Sequence, residues 1–182
     1  MSSTSKLRSR LLLIDTCTIL EAYVLHVWHP LVTECRIAVP ETVVEETIQE
    51  GRHYDEFDVD IEDQIAAGQI EVPSVDASEL LVVRSVCGPM FAGDIDPGEL
   101  ECLACLLKDN EGMSLVCSSD RVVFRFLGWV GQPERGISLE EVLESVGVRT
   151  TAQLAWRLTK AFRERYSNQG SQEALQKGFL KL

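Results

Sequence analysis

Residues 11–20 read LLLIDTCTIL. Leu11, Leu12, Leu13 and Ile14 make a short continuous apolar run, the pattern of a strand buried on both faces. Asp15 follows at once, and Thr16, Cys17 and Thr18 lead into an apolar stretch, Ile19 to Val27, with helical spacing. A carboxylate at the end of a buried strand is costly to desolvate unless something compensates it. Asp15 therefore needs something to hold.

Working outward from this run, strands are predicted over 11–15, 36–39, 70–72 and 114–118, with helices between them. The helices are expected over 18–28, 41–50 (entered at Pro40), 78–87 (with Ser78 as N-cap), 97–109 and 120–127. Asp96-Pro97-Gly98-Glu99 opens the 97–109 helix with an N-cap acid, Pro at N1 and Glu at N3, and Leu100, Leu103, Ala104 and Leu107 give that helix one apolar face. Ser138-Leu139-Glu140-Glu141 is a second capping box, ahead of Val142, Leu143 and Val146. A basic helix is predicted over 151–166. The acidic stretch HYDEFDVDIEDQ (53–64) reads as a solvated helix or loop, and residues 167–182 read as turn residues followed by a weakly amphipathic piece. Strands alternating with helices predict an α/β fold with a parallel sheet covered on both faces.

A chain of 182 residues, 45% of them hydrophobic, suits one domain with an appendage. No apolar run approaches the roughly 20 residues that span a bilayer, so no membrane association is expected. The first residues meet Asp15 without a small-residue cleavage site, which argues against a signal peptide. The six cysteines lie mostly in apolar segments, as expected of reduced, core-packing thiols in a cytoplasmic protein. The net charge is −12, unevenly placed: residues 150–182 carry six basic and two acidic groups, residues 1–149 eleven and twenty-seven. So acidic a body excludes general nucleic-acid binding by charge alone. Nucleic acid would have to be bound through captured cations or through the basic end.

In an open parallel sheet, sites form beyond the carboxyl ends of the strands. Asp15 and Asp120 each follow a predicted strand, Glu99 and Glu101 lie in the first turn of the 97–109 helix, and Glu45 and Glu46 lie in the helix after the second strand. Carboxylates converging from these segments would repel unless a cation joined them. Oxygen-only donors suit Mg²⁺ or Mn²⁺, and such ions activate water and stabilise the leaving oxygen of a phosphodiester. Each residue also has a plain structural role open to it: Asp120 and Glu99 as helix caps, Glu45 and Glu46 as exposed helical acids.

Four stretches, in order, resemble the motifs of the PIN domain, a family of metal-dependent nucleases. LLLIDTCTIL is similar to the first motif, VPETVVEETIQEG to the second, DIDPGELECLACLL to a Gly-Glu-x-Glu helix of one subgroup, and SLVCSSDRVVFRFLG to the last. GISLEEVLESVGV resembles the helix that closes such domains. The resemblance covers about residues 11–130 and more loosely extends to 147. It implies a three-layer α/β/α domain over 11–147 with a helical basic extension over 148–182. It also implies that Asp15, Glu46, Glu101 and Asp120 are the catalytic metal ligands for Mg²⁺ or Mn²⁺. Glu101 is preferred over Glu99 as the third acid and Glu46 over Glu45 as the second. Thr16 and Ser118 would be supporting hydroxyls, and Arg157, Lys160, Arg163 and Arg165 would guide an RNA backbone. The implied activity is hydrolysis of single-stranded RNA, compatible with the toxin of a toxin–antitoxin pair that forms a homodimer and has an antitoxin-like protein partner. Cys17 departs from the family, which commonly has Asn or Ser there. A PIN-like module that binds RNA or protein without cutting is the alternative. A haloacid-dehalogenase-like phosphatase is disfavoured because Cys17 stands where a second Asp is needed. A cysteine enzyme lacks a well-placed histidine, and Cys102-x-x-Cys105 has no second pair to make a zinc site.

Overall fold

A computed structural model describes residues 7, 9–54, 57–87, 91 and 93–178. Five strands are present: β1 (Leu11–Ile14), β2 (Arg36–Ala38), β3 (Ile70–Glu71), β4 (Ser114–Cys117) and β5 (Gly136–Ile137). They are joined by α1 (Thr16–Val24), α2 (Trp28–Glu34), α3 (Glu41–Gly51), α4 (Ile61–Ala66), α5 (Ala77–Cys87), α6 (Pro97–Lys108), α7 (Arg121–Trp129), α8 (Leu139–Val146) and α9 (Lys160–Gln176). The sheet order is β3-β2-β1-β4-β5, and every pairing is parallel. In the centre, Leu12 stands opposite Ile37 on one side and Leu115 on the other, and Ile14 stands opposite Cys117.

Successive residues of β1 point to opposite faces of the sheet, yet Leu12, Leu13 and Ile14 are all buried. Both faces are therefore covered, and the architecture is a three-layer α/β/α sandwich. Among the described residues, no helix is long and apolar enough to cross a membrane.

The strand order sets the position of the crevice. From β1 the chain builds outward through β2 and β3, then crosses to the other side of β1 to lay down β4 and β5. The direction reverses between β1 and β4, and at such a reversal the connecting helices diverge and open a crevice beyond the carboxyl ends of the strands.

Several elements differ from the sequence expectation. The helix expected over 18–28 starts at Thr16 and stops at Val24. His26 takes φ of 56° there, and α2 begins at Trp28. A non-glycine residue with positive φ cannot continue a helix. Asp76, not Ser78, caps α5: it accepts from the Glu79 N–H at 2.9 Å and from the Ser78 hydroxyl at 2.6 Å. The acidic stretch is loop as far as Asp60 and then α4, with residues 55 and 56 outside the described set.

The basic helix does not span 151–166. A 3₁₀ turn (Trp156–Leu158) comes first, Thr159 then caps α9 by accepting from the Phe162 N–H, and α9 runs on to Gln176. It passes through Gly170, which read as a turn residue. The reason is a helix crossing. A Cβ at Gly170 would lie 1.9 Å from the Arg125 carbonyl oxygen, and one at Gly128 would lie 2.0 Å from that of Ser167. Paired glycines let α7 and α9 touch backbone to backbone, which outweighs the modest helix penalty of glycine. The tail beyond 178 lies outside the described residues.

Candidate functional site

Asp15 emerges from β1 directly into the crevice and caps α1. Its Oδ1 accepts from the Thr18 N–H at 2.8 Å, and its Oδ2 accepts from the Ser118 hydroxyl and from the Ser119 N–H at 3.2 Å. The side chain is buried. Burial raises its pKa, and the hydrogen bonds from Ser118, Thr18 and Ser119 oppose that rise. All of these donors are neutral.

Asp120 caps α7 from the end of the neighbouring strand, accepting from the Val122 N–H at 2.7 Å. Its own N–H donates to Ser118 Oγ at 2.9 Å. One hydroxyl thus links the two aspartates, taking a proton donor from the backbone of Asp120 and giving its own hydrogen to Asp15.

Glu99 takes the capping role. It completes the capping box of α6, its Oε2 accepting from the Asp96 N–H at 3.1 Å. At the same time burial, followed by the negative charges of Asp120 and Asp15, pushes its pKa up to about 8. A carboxyl so far above its ordinary range marks a crowded acidic site.

Glu46 reaches the group from α3. It is half-buried and accepts from the Thr16 hydroxyl at 2.7 Å. The first turn of α6 presses against it: a Cβ at Gly98 would lie 2.7 Å from Glu46 Oε2 and 3.0 Å from Val43 Cγ2. Any side chain at residue 98 would have to displace this carboxylate. Glu45 is exposed.

Glu101 turns toward α3: its Oε2 accepts from the Thr42 N–H at 3.0 Å and its Oε1 from the Thr42 hydroxyl at 2.8 Å, binding α6 to the first turn of α3. The third acid that shares the field of Asp15 and Asp120 is Glu99, two residues earlier on the helix and so on a different face. Sequence reasoning missed Gly98 and the Ser119 N–H as parts of the site. A glycine flanked by a capping box carries no outward sign that a carboxylate from another helix will lie over it.

The basic residues are placed differently from the expectation. Arg163 is 14% exposed and holds Glu141 through two bonds, Nε at 2.7 Å and Nη2 at 2.9 Å. Lys160 faces Glu164 at 3.7 Å. Arg157 pairs with Glu21 on α1, and its charge acts on the Cys17 thiol beside Asp15. Arg121, exposed and directly after Asp120, makes no ion pair among the described residues. Partial burial and then the Asp15 charge push the Cys17 thiol up to about 12, so it is no nucleophile at neutral pH.

Every group bonded to Asp15, Glu46, Glu99 and Asp120 is a hydroxyl or a backbone N–H. The donors are oxygen only, and their shared charge is uncompensated, a chemistry that fits a hard divalent cation such as Mg²⁺ or Mn²⁺. As placed, no three Asp, Glu, His or Cys side chains among the described residues are gathered into a ligand set. No protein-family model, curated protein or solved structure matches the chain.

Proposed function

We propose that the chain is a PIN-like, divalent-metal-dependent ribonuclease that hydrolyses phosphodiester bonds of single-stranded RNA. One observation carries the reading. Asp15 and Asp120 follow neighbouring strands and share Ser118, their charges act on Glu99, whose pKa burial and those two acids push up to about 8, and Glu46 stands beside them on Thr16, all with only neutral hydrogen-bond partners.

In this reading Asp15, Glu46, Glu99 and Asp120 hold Mg²⁺ or Mn²⁺. The ion supplies Lewis acidity, making water nucleophilic and stabilising the leaving oxygen. The protein's part is positioning. Ser118 and the Ser119 N–H fix the Asp15 carboxylate, and Thr16 orients Glu46. Glu99, its pKa raised to about 8, would hold a cation as the carboxylate, so ion binding at neutral pH would be linked to loss of its proton. Arg121 offers a guanidinium beside Asp120 to a substrate phosphate. The expected homodimer and antitoxin-like partner belong to this same reading.

The second reading, a module that binds RNA or protein without cutting, is favoured by the dispersed carboxylates and by Cys17. End-labelled single-stranded RNA incubated with the purified chain separates the two. Cleavage is expected in Mn²⁺ or Mg²⁺, none in EDTA, and a loss of at least about 100-fold in Asp120→Asn with unchanged circular dichroism. Equal product from wild type and Asp120→Asn would assign the activity to a contaminant. No cleavage of any RNA in either ion would hand the site to the second reading.

A further inference from the structure

Trp156 lies in the stretch that reads as a basic helix over 151–166. Instead it heads the 3₁₀ turn and is 52% exposed, whereas Trp28 and Trp129 are 1% and 6% exposed. The turn beneath it is firm. Leu158 is fully buried, and the Thr159 hydroxyl and N–H both donate to the Trp156 carbonyl, at 2.7 and 3.2 Å. The indole stands perpendicular to Phe162, 6.1 Å between centroids, and Phe162 is braced in turn by Tyr166 at 4.7 Å and Phe124 at 6.1 Å. The ring is thus held in place while half its surface meets water.

Its position relative to the crevice follows from the next residue. Arg157 pairs with Glu21 on α1, the helix that Asp15 caps and whose first turn carries Thr16 and Cys17. The turn therefore sits against the α1 side of the carboxylate group. The Arg157–Glu21 pair is itself open to water, with 53% of the arginine side chain exposed, so a phosphate can compete with Glu21 for the guanidinium. The segment from 150 onward is also net positive, with six basic groups to two acidic, in a chain whose net charge is −12.

We propose that Trp156 and Arg157 form a docking platform for single-stranded RNA beside the carboxylate crevice, one base stacking on the indole and its phosphate meeting the guanidinium. The choice of RNA as occupant rests on the ribonuclease reading. The charge of Arg157 matches a phosphate backbone, and a rigid exposed indole offers a stacking face to any base. A duplex buries its bases in its own stack and cannot use the platform.

The test is binding in EDTA, where no metal-dependent cutting occurs, with a fluorescein-labelled oligoadenylate, its abasic analogue and its duplex with oligouridylate. Oligoadenylate is expected to quench tryptophan emission, since only Trp156 of the three is accessible. Trp156→Ala is expected to weaken oligoadenylate binding roughly tenfold or more, to leave the abasic strand and the duplex unchanged, and to be rescued by Trp156→Phe. Arg157→Ala is expected to weaken oligoadenylate and the abasic strand alike and to lower the salt dependence by about one charge. Equal oligoadenylate affinity in Trp156→Ala and wild type, or no binding by wild type, overturns the platform. A chain that binds and is quenched but never cuts in Mn²⁺ or Mg²⁺ sinks the ribonuclease reading and supports the platform. A Trp156→Ala chain that cuts with wild-type KM sinks the platform and keeps the ribonuclease.

Discussion

Acids sit at both ends of the central strands, and the two ends treat them in opposite ways. Just before β4, Asp109 accepts from Arg135 Nη2 at 2.8 Å, from the Glu111 N–H at 3.2 Å and from the Ser114 N–H. Arg135 also donates to the Asp109 and Ser114 carbonyls, and Arg10 reaches the Gly112 carbonyl at 2.9 Å. Burial raises the Asp109 pKa, but the Ser114 hydrogen bonds and the Arg135 charge outweigh it and hold the carboxyl below its ordinary range. At the other end Asp15 and Glu99 are shifted upward, with no cation bonded to either. An acid with a cation beside it is a fastening; acids gathered without one are an unfilled requirement for positive charge.

Four measurements break or sharpen this contrast. The largest effect is expected at the fastened end. Arg135→Met leaves the Asp109 charge half-buried and uncompensated, and should cost about 3 kcal/mol in urea unfolding while leaving cleavage per folded molecule intact. A cost under about 1 kcal/mol would show that the pair holds nothing. Asp120→Asn should invert that pattern, with a loss of at least about 100-fold in cleavage and a Tm equal to or above wild type. A Tm that collapses with the activity would make Asp120 a cap and no more.

The third measurement is stability against pH without divalent ions. Glu99 titrates near 8 in the folded chain and at its ordinary 4.5 when unfolded. Between these values the folded state holds more protons, so stability falls as pH rises from about 5 to 8, by on the order of 2 kcal/mol. Glu99→Gln or saturating Mn²⁺ should flatten that slope. Asp109 has the opposite sign: its lowered pKa contributes stability above the unfolded value that is lost as pH falls through the folded one. Identical slopes in wild type and Glu99→Gln would remove Glu99 from the charged group. The smallest effect is expected from Gly98→Ala, whose Cβ must displace the Glu46 carboxylate. Cleavage should fall about tenfold, the size of a disturbed supporting contact, with stability within about 1 kcal/mol of wild type.

Much of this arrangement is legible in the chain because its signals are local. An apolar run ending in an acid gave β1 and Asp15, and the boxes at Asp96-Glu99 and Ser138-Glu141 placed the starts of α6 and α8. What escaped depends on partners distant in sequence. β5 is two residues long and exists only because β4 offers it an edge. Gly170 lies inside a helix because Gly128 lies opposite it. Glu99 and Glu101 differ by two residues in a pattern that treats them alike. Thr42, 59 residues from Glu101, decides which of them is free to face the aspartates.

The crossing of α7 and α9 has a mechanical consequence. Where side chains separate two helices, rotamer changes can absorb a slip of one against the other. Where carbonyls meet glycines there is no such cushion. α9 and α7, the helix that begins beside Asp120, are therefore joined by backbone contact that side-chain rotation cannot relax.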